Sequence, residues 1–106
     1  MALFTQEITR KLAAQGATRS ESNKPVVKLF NPCGAATWLI SESDPEDADR
    51  LFGLCDMGFG CPEMGYVSLA EIEATRLPYG LKIERDRHFT AEMTLVEYAD
   101  AASDPR

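Results

Sequence analysis

Between Pro25 and Ser68, short β-rich runs alternate with clusters of turn residues, and the connections are too short for anything but hairpins. Pro25 opens the run VVKLF, which Asn31-Pro32-Cys33-Gly34 ends. The run from Ala36 to Glu42 returns beside it, with Trp38 and Ile40 on one side and Thr37, Leu39 and Ser41 on the other. Arg50 to Asp56 reads as the next strand, with Gly53 as a bulge or a point of close approach. A loop from Met57 to Met64, tightened by Gly58, Gly60 and Pro62, leads to a short strand at Tyr66 and Val67. Parallel strands need long crossover connections, and this stretch has none, so its pairing is antiparallel.

Helical signals flank that stretch. Thr5 suits an N-cap, Glu7 the first turn and Gly16 a C′ stop, while Phe4, Ile8 and Leu12 recur every four residues as an apolar stripe. Ser68 and Glu71 form a capping-box pattern for a helix over Leu69 to Arg76, which buries Leu69, Ile72 and the stem of Arg76. Thr94 and Glu97 form a second box, opening a helix with Leu95, Tyr98, Ala99 and Ala102 on one face. Between the two helices, Leu81 to Phe89 alternates as a half-exposed or edge strand. Asp44-Pro45-Glu46-Asp47 fits either one helical turn or a plain loop. The order α–β–β–β–β–α–β–α predicts an α+β fold, a mostly antiparallel sheet of about four to five short strands with two to three helices packed on it. Residues 1–106 are expected to form a single domain, with 17–24 as a mobile loop and 103–106 as a frayed tail.

Charge narrows the function. The net charge of −6 argues against direct nucleic-acid binding, which draws its affinity from Lys and Arg on phosphates, and against anionic membranes. No apolar run approaches the roughly 20 residues that span a bilayer, and Glu7 interrupts any signal-peptide pattern, so a cytoplasmic location is expected. The acidity is concentrated. From Trp38 to Glu73 the chain carries nine of its 17 carboxylates and one basic residue, Arg50. Asp44, Glu46, Asp47, Asp49, Asp56 and Glu63 are the candidate contacts for a basic partner surface. Asp44 suits a cap, and Glu46 and Asp47 a helix start, whereas Asp49, Asp56 and Glu63 have no structural task visible in the sequence.

Other chemistry finds less support. The run Asp44 to Asp49 lacks the glycine and closing glutamate of an EF-hand loop, so solvated acids at a turn explain it better than calcium. Cys33, Cys55 and Cys61 match no zinc spacing, and no dinucleotide, P-loop or nucleophile-elbow motif is present, so no cofactor and no catalytic residue are expected. The competing idea is a small enzyme or metal-binding module centred on Glu84, Asp86 and His88, which share one face if the strand alternates through them. Charges that block pairing along an edge strand explain the same residues more simply.

The stretches TWLISESDPED, LFGLCD, PEMGYVSLAEIE and GLKIERDRHF, in that order, resemble the domain-of-unknown-function family numbered 2958. Its members read W…E-x-D, F-G-x-V, E-L-G-Y-F-S-L-x-E-L and I-E-R-D-x-x-F. The likeness runs over about residues 1 to 95, and Glu63 to Leu69 and Ile83 to Asp86 carry it most specifically. This chain departs from the family in its use of cysteine at 33, 55 and 61. The resemblance implies proteins encoded on plasmids and integrative conjugative elements, and no established activity. It points to an accessory that supports conjugation or blunts a host defence nuclease or DNA-binding complex, in the manner of anti-restriction or anti-CRISPR proteins. A monomer or a weak homodimer through the edge strand near Ile83 is expected.

Overall fold

The computed structural model describes residues 3–18 and 23–103. The elements follow the expected order: α1 (Gln6–Thr18), β1 (Val27–Phe30), β2 (Thr37–Asp44), β3 (Asp47–Asp56), β4 (Glu63–Ser68), α2 (Leu69–Ala74), β5 (Glu84–Arg85) and α3 (Leu95–Ala102). The five strands form one antiparallel sheet in the order β4-β3-β2-β1-β5, an α+β arrangement.

The two faces of the sheet are unequal. Cross-strand register and alternation place Val27, Leu29, Trp38, Ile40, Leu51 and Val67 on one face. Leu12 of α1, Ile72 of α2, Phe4 and Ile83 close over that face and complete the core. On the opposite face α3 lies against β3, where Leu39, Leu54, Phe89, Tyr98 and Ala102 line one cavity.

The helix α1 docks on a β-bulge. Ile40 pairs with Gly53 and Glu42 with Phe52, so Ser41 is the extra residue and the alternation slips. Ser41, Glu42 and Ser43 are consequently all buried, a polar run hidden by the bulge. Gln15 Nε2 donates to the Ser41 carbonyl, and Gly16 sits so close that a Cβ there would lie 1.9 Å from the Ser43 carbonyl oxygen. Gly16 is therefore not the C′ stop its position suggests; it is a helical contact point, and α1 continues to Thr18. That places Ala17 and Thr18 in the helix rather than in the expected mobile loop, while residues 19–22 of that loop and 104–106 of the tail lie outside the described residues. Gly53 does serve close approach, since a Cβ there would lie 2.2 Å from the Leu39 carbonyl oxygen.

Asp44-Pro45-Glu46-Asp47 forms the turn of the β2–β3 hairpin, with Asp44 and Asp47 paired across it. Strand β3 thus starts three residues earlier than Arg50, and β4 starts at Glu63 rather than Tyr66, because each pairs along a neighbour the sequence alone does not reveal. Helix α2 ends at Ala74, with Thr75 extended and Arg76 exposed, as suits a chain approaching Pro78. The Thr94–Glu97 box is complete in both directions, with Glu97 N donating to Thr94 Oγ1 and Thr94 N to Glu97 Oε1. No helix among the described residues is long and apolar enough to cross a membrane.

Candidate protein-interaction surface

The six candidate acids fall into two groups, held at opposite ends of β3. Ten residues at about 3.4 Å each put Asp47 and Asp56 roughly 30 Å apart. Asp44, Glu46, Asp47 and Asp49 cluster at the β2–β3 turn, and Asp56 and Glu63 flank the β3–β4 loop, on opposite faces of the sheet by alternation.

Most of these acids also build local structure. Asp44 Oδ1 accepts the Glu46 amide at 2.9 Å, Asp47 Oδ1 that of Asp49 at 3.0 Å, and Asp56 Oδ1 that of Gly58 at 2.8 Å. Each is an aspartate closing a turn on the backbone two residues on. Asp44 also lies 3.9 Å from Arg50 Nη1.

Asp49 has a task that no local pattern shows. Its Oδ1 accepts the Ala70 amide at 2.7 Å, and its Oδ2 accepts the Ser68 hydroxyl at 2.5 Å. The carboxylate caps α2 from the neighbouring strand, together with Ser68, whose Oγ accepts the Glu71 amide at 3.2 Å. Of the S-x-x-E pattern, Ser68 caps as expected. The acidic partner that supports this helix start comes from β3. The Ser68 and Ala70 donors hold the Asp49 carboxyl below its ordinary pKa.

Around Asp56 and Glu63 the surface changes character. Met57, Phe59, Met64 and Tyr66 all belong to the β3–β4 hairpin and are exposed, Phe59 by 84%. Gly58 and Gly60 hold positive φ angles of 90° and 78° on either side of Phe59, a conformation glycine permits at little cost. Tyr66 packs edge-on to Phe52, with ring centres 5.2 Å apart, and carries the Arg50 guanidinium 4.0 Å above its ring. On the other face, Trp38, Gly53, Cys55, Gly65 and Val67 line an open cavity of about 140 Å³. Nothing lies within 4 Å of where a Cβ on Gly65 would project. Burial, then the neighbouring Asp56 and Glu63 charges, push the Cys55 thiol pKa up, so it stays a protonated, unreactive thiol at neutral pH.

A family model described as Protein of unknown function (DUF2958) matches residues 3–105. The chain belongs to that family. The DUF2958 match thus bears out the resemblance read from PEMGYVSLAEIE and GLKIERDRHF. Comparison with curated proteins and with solved structures gave no match.

The DUF2958 signature around IERD does not assemble an alternating strand. Pairing with β1 covers only Glu84 and Arg85, and the chain turns at Asp86, whose Oδ1 accepts the His88 amide at 2.9 Å. The premise that Glu84, Asp86 and His88 share a strand face therefore fails, because Asp86 and His88 both lie beyond the strand, His88 in a turn. Arg85 is turned to the N-terminal segment, its Nη1 donating to the Leu3 carbonyl at 2.8 Å. Ile83, beside the edge expected to support a homodimer, is buried in the core. Among the described residues no group of three His, Cys, Asp or Glu side chains is placed to hold a metal ion.

The sequence pattern singles out the acids and not the exposed apolar side chains that lie beside them. Phe52 is half-buried, whereas Phe59 and Tyr66 are exposed. The available signal was Gly58-Phe59-Gly60, an aromatic between two glycines, which suits a loop tip better than a core.

Proposed function

We propose that this protein is a non-enzymatic interaction protein whose acidic surface engages a basic protein partner. The observation that carries the reading is the β3–β4 hairpin, where exposed Met57, Phe59, Met64 and Tyr66 adjoin Asp56 and Glu63. An apolar patch of methionine and aromatic side chains bordered by charge is the anatomy of a protein–protein interface. The net charge of −6 selects for a basic partner and speeds its approach. The acids at the β2–β3 turn add to that long-range field from the other end of the strand. Family resemblance supplies the setting, an accessory of a mobile genetic element. The partner we favour is a nucleic-acid-binding complex of the host, such as a defence nuclease, whose basic groove an acidic protein can occupy in place of phosphate.

The test is affinity capture from host lysate at low and high salt, with the wild-type chain beside a Glu46→Lys/Glu63→Lys variant. Basic proteins retained at low salt by the wild type and lost from the variant and at high salt fit the proposal. Capture that stays empty at low salt, or that ignores the charge reversal, refutes it.

A further inference from the structure

The sheet order leaves β4 as an edge strand of six residues, and among the described residues no element pairs with its outer side. Natural edges are usually blunted by a proline, a lysine, a bulge or a covering element. Glu63–Ser68 (EMGYVS) contains neither proline nor lysine, its one charged residue, Glu63, stands at the loop end, and its pairing with β3 runs in unbroken register from Arg50–Ser68 to Cys55–Glu63. It does carry two exposed apolar side chains, Met64 and Tyr66.

We infer that β4 receives an extended segment of the basic partner as a sixth strand of the sheet, an inference that rests on the interaction reading above and specifies its mode. Strand addition draws affinity from backbone hydrogen bonds and specificity from pockets that take alternate side chains. Both faces beside this edge provide such places. On one, the open floor at Gly65 continues into the cavity lined by Trp38, Cys55 and Val67, which suits small aliphatic side chains. On the other, Met64 and the exposed part of Tyr66 not covered by Arg50 offer apolar surface to lysine or arginine stems. Asp56 and Glu63 stand at one end of the edge, and Asp49 and Glu71 at the other. The occupant that complements this frame is a strand with aliphatic residues alternating with Lys or Arg.

Charge argues against a second copy of this chain as the occupant. An antiparallel β4–β4 pairing sets the Glu63 end of one copy beside the Ser68 end of the other, where Asp49 and Glu71 sit. A parallel pairing sets Glu63 beside Glu63. Acid meets acid in both, between molecules that each carry −6.

The probe is an acetylated, amidated peptide of alternating lysine and valine, about eight residues long, to match a typical strand. It is compared with the same peptide N-methylated at alternate amides, in both phases. Trp38 is the only tryptophan and lines the cavity, so its emission reports occupancy, while hydrogen exchange locates the contact. Strand addition requires slowed exchange at Glu63–Ser68, a shift in Trp38 emission, and affinity about tenfold weaker for one N-methylated phase, through lost backbone hydrogen bonds. Glu63→Lys should weaken binding at low salt by a similar factor. Binding that tolerates both methylation phases and slows exchange at Asp44–Asp49 instead overturns strand addition and leaves the basic-partner reading standing. No binding at low salt also overturns strand addition, with lysate capture remaining as the test of the broader reading. Slowed exchange at β4 in a concentration-dependent dimer without peptide assigns the edge to a second copy and overturns the inference.

Discussion

The substitution Gly16→Ala tests whether α1 is seated on the β2 bulge. In an exposed helix interior it would stabilise the protein by about 1 kcal/mol, because alanine is the better helix former. Here the added Cβ would lie 1.9 Å from the Ser43 carbonyl oxygen, so the helix must retreat by about 1.5 Å to restore an ordinary 3.4 Å contact. That retreat pulls Leu12, which is 1% exposed, out of its contacts with the sheet and lengthens the Gln15–Ser41 hydrogen bond. Overpacking costs about 1–3 kcal/mol, and a weakened hydrogen bond about 1 kcal/mol more. The net loss after the helix-propensity gain is about 2 kcal/mol, or roughly 10 °C in Tm for a domain of this size. Urea titration followed by circular dichroism should show a lower midpoint with an unchanged slope. Ala14→Gly, at an exposed position of the same helix, calibrates the propensity term at about 1 kcal/mol of destabilisation. A neutral or stabilised Gly16→Ala protein would refute the docking argument, since intrinsic propensity would then be the whole effect.

Asp49→Ala should lower stability, because α2 loses the carboxylate that supports its Ser68 cap, and should raise amide exchange at Ala70 and Glu71. Asp47→Ala, which loses only a turn contact to the Asp49 amide, should cost less in the same denaturation assay. Asp49 and Glu97 both have pKa values lowered by hydrogen bonds made in the fold, so their ionised forms favour the native state. Their contribution is fully present above the unfolded values of about 4 and is lost as pH falls through the lower folded values. Stability measured from pH 7 downward should therefore stay level in this respect until about pH 4 and then decline, less steeply in Asp49→Asn. Cys55 should be the slowest of the three thiols to react with iodoacetamide at pH 8, and Glu63→Gln should quicken it, as read by mass spectrometry. Equal rates at Cys55 and at exposed Cys33 and Cys61 would contradict that placement.

Much of the fold was legible because its signals are local. The Asn31–Gly34 turn, the Thr94–Glu97 box and the period of Leu95, Tyr98, Ala99 and Ala102 each act within a few residues, and each stands where the sequence puts it. What escaped depends on partners far along the chain. The polar run Ser41-Glu42-Ser43 is buried because the Ser41 bulge brings it beneath Gln15 and Gly16, about 26 residues earlier in sequence. Asp49 looks idle until β3 and β4 pair and bring it within 2.7 Å of the Ala70 amide, 21 residues on. The error at Gly16 has the same origin: glycine near the end of a helical pattern has two physical uses, and only the position of Ser43 decides between them.

The same distinction reorganises the acidic stretch. Asp44, Asp47 and Asp56 accept backbone amides at hairpin ends, a use that suits the short carboxylate of aspartate. Those tasks explain why the acids gather at the two ends of β3 and need no ligand to account for them. Asp44 is engaged at both oxygens, by its turn and by Arg50, whereas Asp47 and Asp56 each use one oxygen for a turn and have room for further hydrogen bonds. An aspartate fixed by its own backbone presents its remaining oxygen with little side-chain freedom left to lose on binding. Asp47 and Asp56 are thus well prepared contacts, and the long glutamates Glu46 and Glu63 are the adaptable ones. At the β2–β3 turn such acids stand beside little exposed apolar surface, so in the proposed mode they would contribute field and approach rate. At the β3–β4 loop they adjoin Met57, Phe59, Met64 and Tyr66 and a strand edge unpaired among the described residues, where in the proposed mode charge, buried area and backbone hydrogen bonds would act on one segment together. If affinity resides there, reversing charge at Glu46 should chiefly slow association, whereas reversing it at Glu63 should also speed dissociation.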